Sequence, residues 1–60
     1  MINEFFKCID NNDFTNAKEV LRKWNPQNDE LVDCQIHLAK LLAQKDYQEL
    51  HKLADAFFLS

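Results

Sequence analysis

Residues 11–24 read NNDFTNAKEVLRKW, and residues 44–58 read QKDYQELHKLADAFF. Each stretch opens on two polar residues, an Asp and an aromatic, and continues with apolar residues at helical spacing up to a large aromatic. Laid on itself at an offset of 33, the chain matches in chemistry rather than identity. Phe5 meets Leu38, Cys8 meets Leu41 and Ile9 meets Leu42. Further along, Asp13 meets Asp46, Phe14 meets Tyr47, Ala17 meets Leu50, Val20 meets Leu53, Leu21 meets Ala54 and Trp24 meets Phe57. A period of 33–34 residues is the length of a two-helix unit, and one such unit cannot bury its apolar face alone. The chain is therefore expected to be one all-α domain, residues 1–60, made of two helical hairpins.

Composition agrees with helices. There is no Gly and a single Pro, so the usual punctuation of hairpins and strands is missing. Leu, Ala, Lys, Glu and Gln, all good helix formers, fill the intervals. Four segments are predicted. The first, about 4–11, takes Asn3 as its cap and puts Phe5, Cys8 and Ile9 on one face; Asn11 and Asn12 stop it. The second, about 14–24, is capped by Asp13 and carries Phe14, Ala17, Val20, Leu21 and Trp24 as one stripe. Pro26 breaks the chain after it.

The third segment, about 29–44, follows Asn28, with Asp29 and Glu30 near its positive end. Leu31, Cys34, Leu38, Leu41 and Leu42 form one apolar face, and Val32, Ile36, Ala39 and Ala43 much of a second. So wide an apolar arc predicts a central helix sandwiched between neighbours. The fourth, about 47–59, opens on Asp46, and Glu49 is placed to reach back to the Asp46 backbone N–H. Its buried face is Tyr47, Leu50, Leu53, Ala54, Phe57 and Phe58. Connections of three to five residues imply antiparallel neighbours.

These hairpins resemble the tetratricopeptide repeat (TPR) family. Asp13-Phe14 and Asp46-Tyr47 look like that family's inter-helix turn, Ala17 falls at its small packing position, and Pro26 lies near its closing proline. The likeness spans almost the whole chain, as about one and three-quarter repeats. It departs where Phe5 and Leu38 replace the family's Gly or Ala and where Leu50 replaces the second small residue, so the helices cannot approach as closely there. The expectation is thus four short antiparallel helices in two TPR-like hairpins, with a plain small helical bundle as the alternative.

Several functions are disfavoured. Ten acids against seven bases give a net charge of −3, which opposes nonspecific binding to nucleic acid or an anionic membrane. Lys18, Arg22 and Lys23 make only a small basic patch. No apolar run reaches the ~20 residues that span a bilayer. The start, MINEFFKCID, lacks the charged, apolar and small-residue regions of a leader, so a cytoplasmic protein, complete as given, is expected. Cys8 and Cys34 read as reduced core thiols. Cys34 and His37, at i and i+3, could present two metal ligands, but Cys8 and His51 would have to complete the set; no metal or other cofactor is expected. Without a Gly-rich loop or a recognisable nucleophile–base motif, no catalytic residue is assigned and an enzyme is not expected.

The aromatics carry the functional expectation. Phe5 and Phe6 are adjacent, as are Phe57 and Phe58, and neighbours on a helix point about 100° apart. One small core cannot easily take both members of each pair. Ile2, Phe6, Trp24, Phe57, Phe58 and Leu59 are therefore the candidate partner-binding surface. A chain this short hides only about 60% of its unfolded surface, which favours a further interface. The expected function is a small non-catalytic protein–protein interaction module that takes up another polypeptide, or a second copy of itself, through an apolar helical surface. The TPR resemblance implies an adaptor or chaperone, such as those of bacterial secretion systems. The alternative is an acidic inhibitor or antitoxin-like protein, using Asp29, Glu30 and Asp33 to block a basic target.

Overall fold

The computed structural model, which describes residues 1–59, contains four α-helices: α1 (Ile2–Asp10), α2 (Phe14–Lys23), α3 (Asp29–Ala43) and α4 (Tyr47–Leu59). Strands are absent among the described residues. The all-α class and the four segments thus stand as expected, and most of the boundaries follow from local chemistry. Asp13 Oδ1 accepts from the Asn16 N–H at 3.3 Å, and Asn28 Oδ1 accepts from the Leu31 N–H at 2.9 Å. Asp46 Oδ1 accepts from the Glu49 N–H at 3.3 Å. Each bond pairs a backbone donor that the first helical turn leaves open.

Two local expectations are corrected. α1 begins at Ile2, capped by Met1 without a side-chain bond, so Asn3 lies inside the first turn. Glu49 does not hold the Asp46 N–H, because that group already donates to the Leu41 carbonyl at 2.9 Å.

The latter bond belongs to a turn that occurs twice. After α1, Asn12 has φ 56°, its N–H donates to the Ile9 carbonyl, and the Asp13 N–H donates to the Cys8 carbonyl. After α3, Lys45 has φ 58°, its N–H donates to the Leu42 carbonyl, and the Asp46 N–H donates to the Leu41 carbonyl. Both are Schellman closures, with a left-handed residue ending one helix and an Asp capping the next. The echo in the sequence is therefore an echo in backbone geometry, atom for atom at offset 33.

The helices form a closed ring. α1 packs on α2 and α4, and α3 packs on α4 and α2. Exchanging the hairpins turns the α1–α4 seam into the α3–α2 seam, so the order of helix contacts is two-fold, although α1 is packed more extensively than α3. Phe14 stacks on Tyr47, its own counterpart in the repeat, with ring centroids 3.9 Å apart and planes 18° apart. Such self-pairing is what residues beside a two-fold axis do.

Inside the ring lie Phe5, Phe6, Ile9, Ala17, Leu21, Leu38, Leu41, Leu50 and Ala54. Helix three is not the sandwiched centre expected of it. Its Leu38 and Leu41 are buried, but Val32, Ile36, Ala39 and Ala43 face outward. α1, with Phe5, Phe6 and Ile9 all buried, is the more enclosed element.

Candidate functional site

Among the described residues, two apolar surfaces remain uncovered. The first lies at the end of α4, where four rings run from the interior to solvent. Phe5 is 1% exposed and meets Phe6 edge-on, centroids 5.3 Å apart. Phe6 lies against Phe57 at 5.0 Å, and Phe57 meets Phe58 nearly at right angles at 5.2 Å. These separations and edge or tilted arrangements suit the ring quadrupoles. Phe58 is 42% exposed and Leu59, in the last described turn, 87%.

The expected surface residues therefore divide. Phe57, Phe58 and Leu59 are exposed. Ile2 and Trp24 are half-buried against the core. Phe6 is a correction: at 6% exposure it belongs to the interior. Both adjacent phenylalanines are buried because α1 has neighbours on two sides: Phe5 enters the centre and Phe6 fills the α1–α4 seam. Trp24 stands on the α2–α3 side. Its carbonyl and that of Leu21 accept from the Gln35 side-chain amide at 2.9 and 3.0 Å, which satisfies the open end of α2.

The second surface is formed largely by residues that the sequence pattern places against a neighbouring helix but the structure leaves exposed. A groove of about 400 Å³ runs between α2 and α3, lined by Leu21, Leu42, Ile36, Ala39 and Ala43 and edged by Lys18 and Arg22. It is the pseudo-symmetric counterpart of the α1–α4 seam. Phe6 fills that seam, whereas the matching residue in α3 is Ala39. The small side chain leaves the groove open. Comparing residues 6 and 39 at the repeat offset is the signal that could have located it.

Polar groups are at the periphery. Glu19 and Arg22 form an exposed ion pair at 2.9 Å; the hydrogen bond and charge of Arg22 hold the Glu19 carboxyl below its usual range, and Glu19 raises Arg22 in turn. His51 Nε2 lies 2.7 Å from Asn12 Oδ1, and its ring meets Phe14 edge-on, which ties α4 to the first turn. Burial, then Asp13 and Glu4, raise the Cys8 thiol above its ordinary value, which disfavours the reactive thiolate. Cys8 and Cys34 are free and half-buried. Among the described residues no three His, Cys, Asp or Glu side chains cluster to hold a metal, and no helix is long and apolar enough to cross a membrane.

No protein-family model, curated protein or solved structure matches this chain. The functional reading therefore rests on the surfaces themselves.

Proposed function

We propose that this chain is a small non-catalytic protein–protein interaction module, an adaptor- or chaperone-like pair of TPR-like hairpins that binds another polypeptide through the apolar end of α4. The observation that carries the reading is the ring series Phe5–Phe6–Phe57–Phe58. Its inner members are buried, and its outer member is presented to solvent beside Leu59. A partner's amphipathic helix would lay apolar residues, spaced three or four apart, over Phe58 and Leu59. Because Phe57 rests on Phe6, that ring is held before a partner arrives, and less side-chain freedom is lost there on binding. The doubled Asp-capped turn supports the TPR-like description of each hairpin.

The test compares polypeptides retained by the immobilised chain with those retained by Phe58→Ala/Leu59→Ala and Lys18→Ala variants, with helicity checked by circular dichroism. Retention should fall for the first variant and persist for the second, and it should survive high salt. Equal retention by the two variants, or retention lost with salt and with Lys18→Ala alone, would overturn the reading in favour of recognition by charge.

A further inference from the structure

We propose that α3 is a self-association helix, through which two copies of this chain pair antiparallel. The inference shares with the proposed function the premise that the chain acts through apolar helical surface, but it uses a different face. Val32, Ile36, Ala39 and Ala43 follow one another at intervals of four, three and four along α3. That is the spacing of the apolar seam in a two-stranded coiled coil, and all four residues are exposed, Ile36 by 54%.

Shape and charge both select a second copy of the chain as the occupant. In an antiparallel pair, Ile36 falls against Ala39 of the second copy, and Val32 against Ala43 of the second copy. Each layer then joins one β-branched residue to one alanine, which fills space evenly. A parallel pair would set Ile36 on Ile36 and Ala39 on Ala39, leaving alternate crowding and voids. The single chain already carries a space for a further side chain. Ala39 lines the open groove at the position where Phe6 closes the equivalent seam of the other half. Ile36 of the second copy enters that groove and supplies the side chain that Ala39 lacks.

Charge agrees with the same register. Asp33 and Lys40 are exposed along one edge of the seam. In an antiparallel coiled coil these positions face each other across the pair, so Asp33 of each copy meets Lys40 of the other. The interface is isologous, and each contact occurs twice. On the other edge Arg22 is offset within its own chain by Glu19 at 2.9 Å, which leaves Lys18 as the cation at that rim of the groove. Antiparallel helices also set the acidic start of each α3, Asp29 and Glu30, away from its equivalent.

Sedimentation equilibrium of the full chain, from micromolar to millimolar concentration, reads this directly. The wild type should show a reversible monomer–dimer equilibrium. Ile36→Asp, which alters only an exposed position, should remain helical and weaken the dimer about tenfold or more. Asp33→Lys and Lys40→Asp should each weaken it, and the double variant should recover affinity to within about threefold of wild type, since the opposite charges again face one another. Phe58→Ala/Leu59→Ala should leave the dimer intact, which keeps this outcome separate from the partner-binding test. A wild type that is monomeric throughout, a dimer indifferent to Ile36→Asp, or a double charge variant that fails to recover would each overturn the proposal. So would a monomer that instead takes up an added acidic amphipathic peptide in the groove.

Discussion

Lys45 has the left-handed backbone conformation that Gly adopts freely, in a chain that contains no Gly. For an ordinary side chain this conformation costs roughly 1–2 kcal/mol, because Cβ crowds the following carbonyl oxygen. Asn12, its counterpart, belongs to a residue type that visits the region readily. Replacing Lys45 with Gly should therefore raise unfolding free energy by roughly 0.5–1 kcal/mol, after allowance for the greater freedom of unfolded Gly. Asn12→Gly should help less, since it also removes the 2.7 Å contact to His51. Urea denaturation decides the matter, and a loss of stability in the Lys45 variant would contradict the strain. Asparagine signalled one turn and lysine did not, so only the first left-handed position was legible in the sequence. The second is imposed by closure of the α3–α4 hairpin.

At the level of single helices, periodicity identified which residues are apolar but not which neighbour covers them. α1 is nine residues long, yet Phe5, Phe6 and Ile9 are all buried because α2 and α4 flank it. α3 is longer and more apolar around its circumference, yet one of its faces is open. The pair Phe6 and Phe58 tests this reversal. Phe6→Ala should cost about 3–5 kcal/mol, as truncation of a buried aromatic does. Phe58→Ala should shift stability by no more than about 0.5 kcal/mol, as exposed substitutions do. Equal losses in chemical denaturation would mean that the α1–α4 seam is packed differently.

For the molecule as a whole, the two hairpins are held face to face by the ring of helix contacts and by Phe14 on Tyr47. A stacked pair of this kind should show a coupling of about 0.5–1.5 kcal/mol in a double-mutant cycle of Phe14→Leu and Tyr47→Leu. Strictly additive losses would argue that the hairpins are joined elsewhere. The closed ring leaves the chain with one seam filled by Phe6 and another left open at Ala39. It is this asymmetry within a near-symmetric body that singles out the α2–α3 groove.

The amino-acid sequence alone determined the four helices, most of their caps, the left-handed stop at Asn12 and the short hairpin connections. Each of these depends on groups within about five residues of one another along the chain, where backbone hydrogen bonds and capping side chains act. Which apolar residues are covered was settled only by tertiary structure. α2 and α4 flank both α1 and α3, so burial of Phe6 and exposure of Ile36 depend on how closely those helices pack on each once the ring closes, and the Phe6–Phe57 contact joins residues some fifty positions apart. Hydrophobic attraction is nondirectional, so a stripe of apolar side chains specifies that something covers it, and the packed molecule specifies what.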